Sequence, residues 1–230
     1  MYKSIFLIFI LFFGTTAYAE ITSVLKELTV TELAQLEAGG LILKTKDIKG
    51  SPWPEITLYT LVEATPIEVM GIFSALDYQK DYVPNVIKSK PIKHLSPTEV
   101  LTEYEMHVPF PLKNALYTHG SIVHQYNQDY ELSWYRVESN STDLASGSAY
   151  FSPYKKITIF RYISYIRPKS IFGSLVKRIM FRDVQNTILS IRAHIEKLKK
   201  ENSPLLYKYS GFISRALQGE FVYKESIEQK

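Results

Sequence analysis

Hydrophobic residues recur along the middle of the chain in six stretches with strand-like spacing, separated by short runs of turn-forming residues. Alternation of apolar and polar positions is typical of half-buried β-strands. Consecutive strands joined by short turns favour an antiparallel meander. The predicted strands lie at residues 86–95, 98–108, 115–126, 130–139, 145–152 and 157–166, after two earlier strands at 41–48 and 56–64.

A long amphipathic helix is predicted at about residues 170–200, directly after Pro168 ends the last strand. Its apolar residues are mostly three or four positions apart and share one face. This face comprises Leu175, Ile179, Val184, Ile188, Ile191, Ile195 and Leu198. Burying it contributes on the order of 10–20 kcal/mol before opposing terms, and the sheet is the only large partner available. The pattern therefore predicts an α+β fold, in which a curved antiparallel sheet wraps around a long C-terminal helix.

Two shorter helices are predicted from capping signals. Thr29 with Glu32, and Thr65 with Glu68, have the spacing of a capping box, and a Pro follows the second Thr. The predicted helices lie at residues 30–38 and 66–77.

The first residues have the order of a secretory signal peptide. Lys3 precedes an apolar run of about nine residues, and Ala17-Tyr18-Ala19 forms a cleavage site. The run is shorter than the roughly 20 residues that span a bilayer, although an uncleaved N-terminal anchor is an alternative. We therefore expect cleavage after Ala19. The chain also lacks Cys, which fits a bacterial periplasm better than a disulfide-rich secreted protein, and we expect a periplasmic or secreted location.

These signals divide the chain into four segments. They are a signal peptide (1–19), an N-terminal helical lead-in (20–40), the main domain (41–202) and a C-terminal amphipathic tail (203–230). The tail has an apolar pattern from Leu205 to Leu217. It predicts a helix that either packs on the domain or contacts a membrane or a protein partner.

The composition narrows the expected partners. The formal net charge of +4 comes from scattered Lys and Arg residues, so nucleic-acid binding is not expected, whereas transient contact with an anionic membrane stays open. No group of residues has zinc-ligand spacing and no nucleotide-binding fingerprint occurs, so we expect neither a metal nor a cofactor. Glu103 and Glu105 are expected on the solvent face of their strand rather than as a catalytic pair.

Several short motifs resemble one superfamily. Val62-Glu63-Ala64-Thr65-Pro66 followed by Val69, then Asp77-Tyr78 and Tyr82-Val83-Pro84, resembles the opening of the START and polyketide-cyclase/lipid-transport (SRPBCC) superfamily. Pro109 to Asn114 resembles a later START segment, although that family usually has Arg-Asp where this chain has Lys113-Asn114. The resemblance covers about residues 41–200. It implies the helix-grip fold, with a hydrophobic cavity between the concave sheet and the last helix. Members bind sterols, phospholipids or polyketides; most carry ligands and some catalyse cyclisation.

Strand parity predicts which residues face that cavity. Thr102, Tyr104 and Met106 share one face, and a turn near Phe110 would place Tyr104 opposite His119 and Met106 opposite Tyr117. The predicted ligand contacts are Thr102, Tyr104, Met106, Tyr117, His119, Trp134, Arg136, Val184, Ile188 and Ile191.

Two of these residues have side chains that could bind a charged group or transfer a proton. Arg136 could hold a carboxylate or phosphate headgroup; the alternatives are an exposed side chain or a pair with Glu138 or Glu105. His119 could be a Tyr-bonded core histidine, a ligand contact or a general base.

The sequence thus predicts an exported protein that binds or transfers a lipid or other apolar molecule. An alternative is a cyclase or hydrolase that uses His119, Tyr104 and Arg136 as acid–base groups, although no catalytic constellation is recognised. A third reading is a non-catalytic interaction module with a filled core.

Overall fold

Eight antiparallel strands form a single curved sheet, and a long helix lies against its concave face. The computed structural model describes residues 24–108, 113–169 and 173–228, without the side chains of residues 173–179. The helices are α1 (Val30–Glu37), α2 (Pro66–Phe73), α3 (Gly173–Lys200), α4 (Pro204–Leu217) and α5 (Lys224–Glu228). The strands are β1 (Ile42–Lys46), β2 (Glu55–Val62), β3 (Val86–Ser96), β4 (Glu99–Met106), β5 (Ala115–Tyr126), β6 (Asp129–Ser139), β7 (Thr142–Tyr154) and β8 (Ile157–Pro168).

The strand order in the sheet is β1-β2-β8-β7-β6-β5-β4-β3. The six-stranded meander predicted from the sequence is confirmed, and β2 pairs with β8 so that the first hairpin extends the meander at its last strand. The predicted signal peptide and its cleavage site lie outside the described residues. No helix among the described residues is long and apolar enough to cross a membrane.

The predicted helix at 66–77 is too long, because α2 ends at Phe73. The Ser74 hydroxyl donates to the Met70 carbonyl at 2.7 Å. Such a side-chain bond to the backbone competes with continuation of a helix. The chain then turns back, and the Tyr82 hydroxyl donates to the Ile72 carbonyl at 2.5 Å.

The main core lies between the concave face and the helices α2, α3 and α4. Ile188, Ile191 and Ile195 on α3 are almost fully buried and share one cluster with residues of the sheet. The sheet contributes Ile56, Leu58, Val62, Leu132, Ala149, Phe151 and Phe160. The predicted docking of the long helix on the sheet is therefore confirmed for the part of the stripe whose side chains are described. Leu175 and Ile179 lie outside that part.

The outer face of the sheet holds the N-terminal segment. Val24 and Leu36 are buried against Tyr59 and Ile159 in a second apolar cluster. Glu27 connects this segment to the sheet, because it accepts a hydrogen bond from the Tyr59 hydroxyl at 2.6 Å and forms a salt bridge with Arg161.

Helix α4 packs on α2 rather than extending from the domain. Its apolar face is buried, and the Tyr209 hydroxyl donates to Asp77 at 3.0 Å. Farther along, the Ser226 hydroxyl donates to the same carboxylate at 2.9 Å. Of the two readings of the tail pattern, the structure therefore shows the packed helix.

The predicted pairing of β4 with β5 is wrong by two residues. Tyr104 lies opposite Tyr117, and Thr102 lies opposite His119. Pairing ends at Met106 and Ala115, before Pro109 and Pro111, which cannot donate to a strand ladder. Because side chains alternate with a period of two, the shift leaves every residue on its predicted face.

The crossing of α2 and α4 gives a first prediction. A Cβ added at Gly71 would lie 2.6 Å from the Ser210 backbone nitrogen, whereas one added at Gly211 meets nothing within 4 Å. Gly71→Ala should therefore lower the free energy of unfolding by about 1–3 kcal/mol. Gly211→Ala, at a half-buried helical position with open space around the added Cβ, should leave it unchanged or raise it by up to about 1 kcal/mol. Urea denaturation of both variants checks this, and equal stability of the two would contradict the packing.

Candidate ligand-binding site

The inner face of the sheet is completely covered at one end and partly covered at the other. On α3, Ile188 and the residues after it in the apolar stripe are buried, whereas the earlier residues Met180, Phe181 and Val184 are half-buried. Five inward-facing residues of β5, β6 and β8 are also half-buried. They are Tyr117, His119, Trp134, Arg136 and Tyr162. We call these eight residues of the sheet and α3 the inner-face site.

Phe73 from α2 closes the inner-face site on the core side. Its ring centroid lies 5.3 Å from that of Phe160 and 5.5 Å from that of Phe151. It also lies 6.4 Å from Trp134 and 6.5 Å from Tyr162. Phe73 therefore packs between the buried rings of Phe151 and Phe160 and the half-buried rings of Trp134 and Tyr162.

Trp134 and Tyr162 form a flat aromatic floor. Their rings are stacked with centroids 5.3 Å apart and planes inclined by 26°. Gly147 lies opposite Trp134 on the neighbouring strand, and a Cβ there would lie 2.4 Å from the indole. The floor therefore depends on a residue without a side chain at position 147.

Three rings form the wall beside this floor. The ring centroid of Tyr117 lies 5.1 Å from that of Tyr104 and 4.5 Å from that of His119. The Tyr104 hydroxyl donates to Gln79 Oε1 at 2.7 Å, whereas the rings of Tyr117 and His119 form no hydrogen bond with any described residue. The histidine thus contacts tyrosine rings without the Tyr–His hydrogen bond of the core-histidine interpretation.

Burial sets the charge of His119. Desolvation lowers the pKa of its imidazole from 6.5 to about 4. The ring is therefore neutral near pH 7, with one N–H to donate and one nitrogen to accept.

Arg136 lies opposite His119 on β6. Immediately after it the β5–β6 pairing shifts, because Val137 is an extra residue that forms a β-bulge. The guanidinium forms no salt bridge with a described carboxylate, and Glu105 instead accepts from Asn114 Nδ2 at 2.7 Å. The alternative in which Arg136 pairs with Glu105 or Glu138 is therefore wrong.

The other predicted contacts differ in how far protein already covers them. Thr102 and Tyr104 are buried at 0% and 9% exposure, and Ile188 and Ile191 belong to the core cluster. Met106 is half-buried on the predicted face of β4. A ligand role for each of the ten residues stays a prediction.

Sequence reasoning missed four residues of this region. Parity could not assign β8, both of whose faces are apolar, and the structure turns Tyr162 inward. Met180 and Phe181 lie on the helical face of Val184, and Phe73 was predicted only as part of the apolar face of α2.

Two spaces lie elsewhere in the described part of the chain. A cavity of about 20 Å³ beneath α4 and Tyr223 has room for about one water. A groove of about 410 Å³ at the start of α2 is open to solvent and lined by polar residues such as Gln125 and Lys156. Neither space is lined by residues of α3.

Metal and carboxylate chemistry find no support in the described residues. They contain no group of His, Asp and Glu that could hold a metal ion. Glu103 lies on the outer face of β4, as predicted, and pairs with Lys88 at 2.8 Å.

Comparisons with known proteins support the architecture. No protein-family model matches the chain, and no curated protein matches its sequence. The structure is similar to a STAR-related lipid transfer protein from Xanthomonas axonopodis, with a TM-score of 0.61 at 15% identity over 68% of this chain and 93% of that one. It is also similar to human StAR-related lipid transfer protein 5, with a TM-score of 0.62 at 10% identity over 70% and 84% of the two chains.

A third similar structure is the Zhui aromatase/cyclase of Streptomyces sp. R1128, with a TM-score of 0.52 at 11% identity over 63% of this chain and 94% of that one. At such low identities the likeness concerns the fold. The chain has the START-like helix-grip fold that the sequence motifs implied.

Acid should weaken the fold through His119. Its protonated form is disfavoured in the folded state, so stability is complete above about pH 6.5 and falls by roughly 1.4 kcal/mol per pH unit between about 6.5 and 4. Burial also lowers the pKa of His94 and of His194, which act in the same direction. His119→Gln should flatten this dependence and the exposed control His107→Gln should not. Urea denaturation at pH 7.5 and 5 measures both; an unchanged pH dependence in His119→Gln would contradict the assignment.

Proposed function

We propose that this protein is an exported carrier that binds a lipid or other apolar molecule in the inner-face site. The observation that carries the proposal is the shared partial exposure of apolar residues on the sheet and on α3. The floor of Trp134 and Tyr162 is half-buried, and so are Phe181 and Val184 on α3, which pack against the same core cluster. Covering apolar surface contributes about 25 cal/mol per Å², so an apolar ligand between them gains free energy from both.

The solved structures support this reading. The names of the proteins from Xanthomonas axonopodis and human describe lipid transfer, and we extend apolar-ligand binding to this chain on the basis of the fold and the inner-face site together. Transfer would require transient contact with a membrane, which we also propose.

A cyclase is the second candidate function, because the Zhui aromatase/cyclase shares the fold and His119 lies beside Arg136 and Tyr104. General acid–base catalysis is most effective when the catalytic imidazole is oriented by a third group. Among the described residues no carboxylate bonds His119, and the Tyr104 hydroxyl already donates to Gln79. The carrier therefore fits the geometry better.

A larger side chain in the inner-face site should weaken binding of an apolar ligand. Val184→Trp adds a large ring on the face of α3 that packs against the core cluster, and it should weaken binding of a fluorescent alkyl probe at least about tenfold, which is about 1.4 kcal/mol. Leu189→Trp adds the same ring on a side that is 43% exposed and should leave binding unchanged. Fluorescence titration with circular dichroism as the folding check measures this.

The result also separates the carrier from an interaction module with a filled core. Binding by the wild type that Val184→Trp retains would place the ligand elsewhere. Failure of the folded wild type to bind fatty acids, sterols and phospholipids, together with no extractable ligand by mass spectrometry, would contradict the carrier.

Export is tested at the N-terminus. We expect the protein recovered from the periplasm or medium of a bacterial host to begin at Glu20, because the cleavage site ends at Ala19. Replacing Ala17 and Ala19 by Leu should block processing, whereas Thr16→Ala should not. N-terminal sequencing of the fractions measures the outcome, and a protein that keeps Met1 in the cytoplasmic fraction would overturn the proposal.

A further inference from the structure

We propose that the ligand is an anionic amphiphile whose carboxylate or phosphate headgroup is bound by Arg136, while its apolar chain lies on the floor of Trp134 and Tyr162. The inference rests on the proposed function and specifies its ligand class. It starts from the pairing of the arginines in this structure.

The other half-buried arginines have counter-ions and Arg136 has none among the described residues. Arg161 pairs with Glu27 and lies 5.0 Å from the ring centroid of Tyr150. Arg192 pairs with Glu196 at 3.0 Å and also donates to the Gly39 carbonyl at 3.0 Å. No nitrogen of Arg136 is among the buried side-chain atoms that have no hydrogen-bond partner, so the guanidinium reaches solvent, and a ligand that displaced this water without pairing the charge would be costly. An oxyanion from the ligand would supply the missing partner at Arg136.

The groups around Arg136 are hydrogen-bond donors. His119 lies directly opposite on β5, so the Cβ atoms are about 4.5–5.5 Å apart. Because the imidazole is neutral, it does not repel the guanidinium and can donate one N–H. The Tyr117 hydroxyl, next to His119, donates to no described residue. One charged and two neutral donors match the acceptor-only oxygens of a carboxylate or phosphate.

The order of residues along β6 orients the ligand. Trp134 and Arg136 are two residues apart on the same face, a separation of about 6.6–6.8 Å. Toward the core, the floor ends at the Phe73 ring. In the other direction lies the Val137 bulge, a feature that often re-aims side chains next to binding sites. A headgroup at Arg136 therefore places its chain over the Trp134 indole.

An uncharged ligand is a worse fit. It would cover the guanidinium without pairing it, and leaving a buried charged donor unsatisfied costs more than a neutral hydrogen bond returns. The structure therefore favours a fatty acid or a monoacyl phosphate over a fatty alcohol or a sterol.

The first experiment needs no variant. Titrate the wild-type protein with oleate and with oleyl alcohol, which share one chain and differ in the headgroup. A charge-assisted bond should make oleate bind about 10- to 100-fold more tightly. Equal affinity for the two would overturn the headgroup assignment and leave the carrier proposal intact, whereas no binding of either would count against the carrier itself.

The second experiment assigns the preference to Arg136. Arg136→Gln should lower oleate affinity about 10- to 100-fold and should not weaken oleyl alcohol binding, because it removes the charge that the alcohol would cover without pairing. Arg136→Lys should retain part of the preference for oleate. The matched control Arg167→Gln removes an exposed arginine on β8 and should change neither. A preference for oleate that persists in folded Arg136→Gln would overturn the proposal.

A third arm separates a lipid headgroup from a free anion. Oleyl phosphate should compete with a bound fluorescent fatty acid at concentrations similar to oleate, and inorganic phosphate should not compete at millimolar concentration. Displacement by inorganic phosphate alone would show an anion site that does not depend on the apolar chain, and would overturn the amphiphile.

Discussion

The structure depends on one constraint, which is that the concave face of a large curved sheet must be covered by the helices packed on it. On α3, Ile188, Ile191 and Ile195 are buried in the core that this helix forms with β2 and the rest of the sheet. The α2 helix adds Phe73 to the same core. Toward the start of the described side chains of α3, the residues on both surfaces are only half-buried. The site is thus the part of one hydrophobic interface that the protein's own side chains leave partly open.

The period of each element made most of this architecture predictable. The alternation of a strand and the three-to-four spacing of α3 are local properties of the sequence. They predict which face a residue lies on even when the bounds of the element are predicted a few residues away from the true ones. The β4–β5 register was wrong by two residues, yet Tyr104 and Thr102 stayed on the inner face because the strand period is two. The end of α2 was misplaced, because the Ser74 hydroxyl bond to Met70 is invisible to a pattern of apolar residues.

The site was less predictable because its features are long-range. The stacking of Trp134 on Tyr162 requires Gly147 on the strand between them, and neither strand alone reveals that requirement. The Val137 bulge follows from pairing with β5. Arg136 has no carboxylate partner among the described residues, and Glu105, one of the two predicted candidates, instead accepts a hydrogen bond from Asn114. Sequence parity selected the correct face but could not distinguish core from open surface on it.

A shared fold leaves function undecided, since lipid transfer proteins and an aromatase/cyclase both match this structure. The distinction lies in what the polar residues inside can do. A proton-transfer site needs a titratable group held by a partner that fixes its tautomer, and a headgroup clamp needs a fixed charge without a protein counter-ion. His119 has no oriented hydrogen bond to a described residue and a pKa lowered to about 4, which makes it a poor base near neutral pH. Arg136 keeps its charge at any physiological pH. The inner-face site is therefore better suited to holding an anion beside an apolar chain than to moving protons.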